Sequence, residues 1–384
     1  MNFGIICEFN PFHAGHKHLF NSARALGAKN IVCAMSGNAV QRGELALTDK
    51  YIRARSAIEN GADLALELPF PWSASSAEYF ATAGVRALMP YCDAIIFGSE
   101  CGDIDLLKKA ADVALTKDFR DSLEDKKRNG EGAASAYFSL LEGYIGVSLS
   151  SNDILGVEYI KAIKKCGASI VPYTVSRMGS AYRENNIQEG MLPSASAIRE
   201  AIREGSESSE KYIDEPIKTA LDNGLITDIS NVERALLLHL RLSDASELSQ
   251  YAECDGGVAE RICSAARENA DIKGFWEAVR TKRYTDAKLS RAILFSLAKV
   301  KRELLSESPE YLYLLGASDG GRTLLSSARK GNKNAISVVT KPADAPRNSA
   351  QFAAEERLNA LFSLAAKNAF SMGEAYRKNA FIIK

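Results

Sequence analysis

Apolar residues in the first half of the chain follow two alternating rhythms. "FGIIC" (3–7), "NIVCAM" (30–35), "DLALEL" (63–68), "DAIIFG" (93–98) and "ASIVPYTV" (168–175) are short, nearly continuous apolar runs, the pattern of strands buried on both faces. Between them the spacing is helical. Ala77, Phe80, Ala81, Gly84, Val85 and Leu88 fall on one face of a helix. A helix is predicted from about Gly15 to Leu26 with Gly27 as its stop, and another, capped by Thr48, reaching Asn60 with Gly61 beyond it. Helical patterns also fill 104–146 and 152–166. Strands separated by helices imply right-handed crossovers and a parallel sheet, so the first half is predicted to be a Rossmann-like α/β domain. Ligands in such sheets sit beyond the carboxyl ends of the strands. "NPFHAGH", "SGNAVQRGE", "ELPFPWSASS" and "GSECGD" all follow predicted strands and share that address.

The character changes near "REGSESSEK" (203–211), which is polar and poor in apolar residues. Beyond it no strand is predicted. Helical periodicity runs through "NVERALLLHLRL", "GFWEAVRTK", "DAKLSRAILFSLAKV", "RTLLSSARK" and "AAEERLNALFSLAAKNAF". The expectation is therefore an α/β domain over 1–205 followed by an all-helical domain over 206–384.

At 384 residues the chain can bury two cores. Its 48 basic and 48 acidic residues cancel, so a nucleic-acid partner would need a local basic patch. Seven scattered cysteines without a CxxC suggest reduced thiols in the cytosol. The N-terminus has no signal-peptide pattern, and no apolar run is long enough to span a bilayer. A soluble, cytoplasmic protein without membrane contact is expected.

"FNPFHAGHKHL" (9–19) carries three of the four histidines. A helical zinc pair usually stands at i, i+4 beside a glutamate. Here His13 and His16 are three apart, with Ala14 and Gly15 between them, and no later cluster completes a ligand set. No metal site is predicted. A phosphate grip fits better: the strand ends, Asn10 and Pro11 turn the chain, and a helix N-terminus offers free N–H groups to an anion. Gly15 leaves the backbone open to close approach, and two imidazoles on adjoining turns can donate to phosphate oxygens. Without a ligand the same residues would be a solvated helix start.

"HAGH" after "FNPF" resembles the HxGH motif of the nucleotidyltransferase superfamily. Together with "MSGNAVQRGE", "ADLALELPF", "FGSECGD", "SNDILGVEY", "RMGSAYRE", "SASAIR", "TKRYTDAKLSR" and "YLLGASDGGRTLL", the chain resembles the bacterial tRNA(Met) cytidine acetate ligase family along nearly its whole length. That resemblance implies acetylation of the wobble cytidine of elongator tRNA(Met) from acetate and ATP, through acetyl-adenylate, with magnesium expected beside ATP. It implies that His13, His16 and Asn10 are the catalytic residues, the histidines stabilising charge on the triphosphate and Asn10 shaping the turn and contacting a phosphate. The ATP cradle would be Ile6, Cys7, Glu8, Phe9, Asn10, Pro11, Phe12, His13, Ala14, Gly15, His16, Lys17, His18 and Leu19. His18, two residues past the motif, is the one whose side chain is expected to point elsewhere. Gly98, Asn152, Arg177, Ser196 and Arg199 match further ATP positions, the last two facing pyrophosphate. Asn152 reads equally as a helix N-cap.

Ser36, Gly37, Asn38, Gln41 and Arg42 form a shared loop expected to meet acetate or cytidine. Residues 280–302 carry eight basic residues against the one acid Asp286. Alone this is a solvated helix face. Within the resemblance it becomes the candidate tRNA contact, with Arg280, Lys282, Arg283, Lys288 and Arg291 on phosphates and Tyr284 available to stack on a base. His239, inside "ALLLHLRL", reads as a packed helix residue. Two other readings compete: a small-molecule adenylyltransferase, usually a compact single domain, and a noncatalytic RNA-binding protein that keeps an ATP fold.

Overall fold

The computed structural model describes residues 1–177, 193–331 and 335–383; the part of "RMGSAYRE" from Met178 onward lies outside the described residues. Among the described residues ten strands run in chain order: β1 (Asn2–Cys7), β2 (Asn30–Ser36), β3 (Ala39–Val40), β4 (Glu44–Leu45), β5 (Leu64–Leu68), β6 (Ala94–Ser99), β7 (Val171–Ser176), β8 (Tyr311–Ala317), β9 (Ser337–Val339) and β10 (Phe381–Ile382). The helices of the first part are α1 (Ala14–Ala25), α2 (Lys50–Glu59), α3 (Ala77–Leu88), α4 (Ile104–Leu115), α5 (Lys117–Arg128), α6 (Ala133–Ile145), α7 (Ser151–Lys165) and α8 (Ala195–Arg203).

Strands β5, β2, β1, β6 and β7 lie side by side in that order, all parallel. Their order reverses between β1 and β6, because β1 pairs on one side with β2 and on the other with β6. In an open parallel sheet this reversal opens a crevice at the strands' carboxyl ends. Alternate side chains feed two cores. Val32, Leu66 and Ile95 pack under α3 and α7 with Phe80, Val85, Ile154 and Val157. Phe3, Ile31, Cys33 and Ile96 pack on the other face with Phe20 of α1 and Ala54 and Ile58 of α2.

The expectation of an all-helical domain over 206–384 needs correction. β8 is buried along its whole length and joins β5 antiparallel. β9 and β10 pair parallel to β8, at its beginning and its end respectively. Helices between 233 and 298 do build a separate core, from Leu236, Leu240, Ile262, Phe275 and Leu289. The chain then returns to the first sheet. A seven-residue apolar run such as "YLYLLGA" has no period that tells strand from helix, and β9 and β10 are too short to show one. The glycines after β8 serve packing: a side chain on Gly321 would collide with the Asp63 carbonyl. Because β8 is antiparallel, that turn lies at the opposite end of the sheet from the crevice.

The cap predicted at Thr48 also shifts by one residue. Asp49 caps α2 through Tyr51 N–H, while the Thr48 hydroxyl donates to Leu225 O at 2.8 Å.

Candidate active site

β1 delivers the chain into the crevice, and Phe9, in the left-handed region (φ 44°), turns it before α1. Phe9, Phe12 and Phe20 form an aromatic cluster whose first two rings hold His16, with centroids 4.8 and 5.5 Å away. His13 is the N-cap of α1. Its Nδ1 accepts the Gly15 N–H at 3.0 Å, while His16 Nδ1 accepts the His13 N–H at 3.2 Å. The two imidazoles form a reciprocal capping box, with centroids 4.0 Å apart.

A ring nitrogen that accepts a backbone N–H carries no proton, so in each neutral ring the proton sits on Nε2. Burial, then the charges of Arg177 and Arg199, pulls the His13 pKa down to about 4. Burial, then His13 and Arg177, pulls His16 well below its ordinary value. Both rings are therefore neutral Nε2–H donors at neutral pH, and the arginines supply the positive charge.

The facing wall comes from β6, β7 and α7. Ser150, not Asn152, caps α7, so Asn152 is free of that duty. Asp153 takes the Ser99 hydroxyl at 2.5 Å, Cys101 N–H at 3.2 Å and Ser150 N–H at 2.9 Å, tying the end of β6 to the start of α7. Arg177 lies across Gly98, where a Cβ would sit 3.1 Å from its Cγ. Glu100 accepts from Asn152 Nδ2 at 2.6 Å and from the Ser150 hydroxyl at 2.5 Å, and stands 3.8 Å from Arg177.

Between these walls is a cleft of about 180 Å³. Of the predicted cradle, Ile6, Cys7, His13, Gly15, His16, His18 and Leu19 line it, so His18 faces the cleft after all, as do Gly98, Asn152 and Arg177. Glu8, Phe9, Asn10, Pro11 and Phe12 shape the turn behind it, and Ala14 and Lys17 are exposed on α1. Asn10 is 2% exposed: its Oδ1 accepts Leu47 N–H at 2.7 Å, and its Nδ2 has no partner. Ser194 caps α8 and lines the cleft. Ser196 is half-buried in the first turn of α8. Arg199 donates to Asn10 O at 2.8 Å and stands 3.7 Å from Glu44.

The loop after β2 is held from beneath. Arg53, fully buried, donates to the carbonyls of Glu8, Ser36, Gly37 and Thr48. Gln41 N–H reaches Glu8 at 2.9 Å, Asn38 accepts Lys50 N–H at 3.1 Å, and Arg42 is exposed. Gly37 packs on Glu67, which Lys50 neutralises at 2.5 Å. Sequence reading missed Arg53, Asp153 and Glu100. Asp153 is detectable as the fourth residue of an S-x-x-D capping pattern. A buried arginine that ties carbonyls leaves no sequence signal.

The basic stretch divides in the fold. Arg291 meets Glu253 at 2.9 Å with both side chains largely buried, Lys288 meets Asp255 at 2.8 Å, and Arg280 meets Asp286 at 3.1 Å. Glu253 and Asp255 lie outside the window read from sequence. Lys282 and Arg283 are exposed. Arg283 and Lys288 stand 5.5 and 5.6 Å from the Tyr284 ring, whose hydroxyl donates to Gly256 O. Gly43, between β3 and β4, presses on the backbone at Arg291, so this surface abuts the loop beside the cleft. Among the described residues no three His, Cys, Asp or Glu side chains gather to hold a metal ion, and no helix is long and apolar enough to cross a membrane.

A profile of the HIGH nucleotidyl transferase family matches residues 1–376. The tRNA(Met) cytidine acetate ligase of Clostridium perfringens is 34% identical over 368 residues, covering 90% of this chain and 91% of that protein. The protein of the same name from Caldanaerobacter subterraneus is 35% identical over 362 residues, 88% of each. Two crystal structures of Thermotoga maritima TmcAL, 27% identical and matched over the full length of both chains, superpose with TM-scores of 0.89 (apo) and 0.87 (bound with alpha-thio ATP).

Proposed function

Because the chain belongs to the tRNA(Met) cytidine acetate ligase family of HIGH nucleotidyl transferases, we propose that it joins acetate to the exocyclic amine of the wobble cytidine of elongator tRNA(Met) at the expense of ATP. Acetate is a poor acyl donor because oxide would have to leave. An acetate oxygen attacks the α-phosphorus, the bond to the bridging oxygen breaks, and pyrophosphate departs. In the second step the cytidine N4 attacks the acetyl carbonyl, AMP leaves, and N4 loses a proton.

The observation that carries this reading is the pair of neutral Nε2–H donors at the start of α1, flanked by two arginines. The first step is a displacement at phosphorus, so positioned donors and charge matter more than covalent chemistry. His13 and His16 donate to the phosphate oxygens as charge develops, and Arg177 and Arg199 balance it. Arg199, fixed on Asn10 O, is the arm for the departing pyrophosphate, with Ser196 beside it. Ser36, Gly37, Asn38, Gln41 and Arg42, knotted by Arg53, form the side on which acetate and cytidine approach. Magnesium would arrive with ATP. Among the described residues no donors build a cage for it, so phosphates and water would be its ligands. Lys282 and Arg283 would meet the tRNA backbone, and a tRNA substrate puts the work in the cytoplasm.

The test is incubation with labelled acetate, ATP and bacterial tRNA, followed by digestion of the RNA. ATP-dependent label in N4-acetylcytidine is expected, and its absence with active tRNA(Met) would overturn the proposal. His16→Ala should abolish acetyl-adenylate while leaving tRNA affinity nearly intact. Collapse of affinity would reassign the histidine to folding or RNA contact.

A further inference from the structure

Glu100 does not line the cleft, yet both residues that it holds, Asn152 and Arg177, do. Its backbone is fixed on both sides. Ser99 and Cys101 bond to Asp153, and a side chain on Gly102 (φ 64°) would collide with the Ser176 hydroxyl. The carboxylate is thus held in place by a rigid turn, only a third exposed, with the Ser150 hydroxyl on one oxygen and the Asn152 amide on the other.

A carboxylate only accepts hydrogen bonds, so Asn152 must turn its Nδ2 toward Glu100, and that choice dictates where Oδ1 goes. Among the described residues no protein donor is seen on Asn152 Oδ1. Oδ1 is therefore an acceptor left for a ligand, beside the second Nδ2 hydrogen. Ionised phosphate oxygens carry no proton to give it. The nucleoside half of ATP does, on its ribose hydroxyls and its adenine amine. We propose that Glu100 is a positioning residue that locks the Asn152 amide, so that Oδ1 selects a nucleotide by a donor on its nucleoside half. This rests on the cleft being the ATP site.

The experiment measures binding of ATP, 2′-deoxy-ATP, 3′-deoxy-ATP and the triphosphate of purine riboside, which lacks the amine, to the full chain by calorimetry without acetate or tRNA. Wild type should bind one of the three analogues about five- to tenfold more weakly than ATP, the value of one hydrogen bond. That analogue tells ribose from base. In Glu100→Gln the partner can accept or donate, so the Asn152 amide is no longer locked. The ratio between ATP and the discriminated analogue should fall toward one there and in Glu100→Ala, while the charge removed beside Arg177 shifts all four nucleotides alike. Asn152→Ala should also bring the ratio toward one, and adding Glu100→Ala to it should leave that ratio unchanged. A wild-type ratio in Glu100→Gln, or equal binding of all four nucleotides by wild type, would overturn the inference. Failure of wild type to bind ATP at all would instead overturn the functional reading beneath it.

Discussion

Gly15→Ala tests the catalytic reading with a single methyl group. A Cβ on Gly15 would sit 2.8 Å from His13 Cε1 and 3.1 Å from its Nδ1, where ordinary contact begins near 3.4 Å. Sequence alone suggested that this glycine leaves room for a nucleotide; the fold shows that it also leaves room for the histidine. The methyl meets a side chain, not backbone, so His13 can swing aside while the fold stays intact. Swinging breaks the 3.0 Å bond from Gly15 N–H to Nδ1, a helix cap worth about 1 kcal/mol. Replacing glycine by alanine inside a helix returns about 1 kcal/mol. The two offset, so the melting temperature should move by only a few degrees. The rate should not be spared, because a mis-aimed donor costs ~10²–10³ in catalysis. Acetate-dependent ATP–pyrophosphate exchange measured beside thermal unfolding separates the two effects. Exchange within about threefold of wild type would refute the role of His13, and a large loss of stability would refute the offset.

Further outcomes follow from the charges. His13 is held neutral down to about pH 4 and His16 is also held well below its ordinary value, against an unfolded value of 6.5, so the unfolded chain binds more protons in that window. Stability from this pair should rise as pH climbs from about 4 to 6.5, and urea titrations of His13→Gln and His16→Gln should show a shallower rise. Glu355 works in the opposite sense: burial, then the Glu67 charge, raises it to about 8, so its contribution fades from about pH 4.5 to 8, and Glu355→Gln should remove that fade. Lys50→Met leaves Glu67 buried without its partner and should cost about 3–5 kcal/mol in urea unfolding. Adding Glu67→Leu should recover most of it, and a single-variant loss under about 1 kcal/mol would contradict the pairing. Lys282→Glu with Arg283→Glu should weaken tRNA binding and flatten its salt slope by about 0.7–0.9 per lost contact, whereas Arg291→Glu should lower the melting temperature by facing Glu253 with a like charge.

Much of this molecule is legible in one dimension because its signals are local. Runs such as "NIVCAM", the stripe from Ala77 to Leu88, and HxGH at a strand-to-helix turn each contain their own reason, since strand burial, helix periodicity and capping act over a few residues. The α/β class, the order of strands and helices and the pair of histidines at the start of α1 follow from them. Other features belong to the tertiary structure, because their partners lie far apart in sequence. β8 is a strand only because β5 accepts it across more than two hundred residues. Arg53 looks like a solvated helix residue until four carbonyls from separate loops close on it. The basic run at 280–302 looks uniformly charged until Glu253 and Asp255 arrive from the turn before the helix Val258–Glu268 and neutralise part of it. Pattern along the chain reports how each residue meets water, whereas pairing of buried charge and backbone reports which distant residue it meets, and only folding decides that.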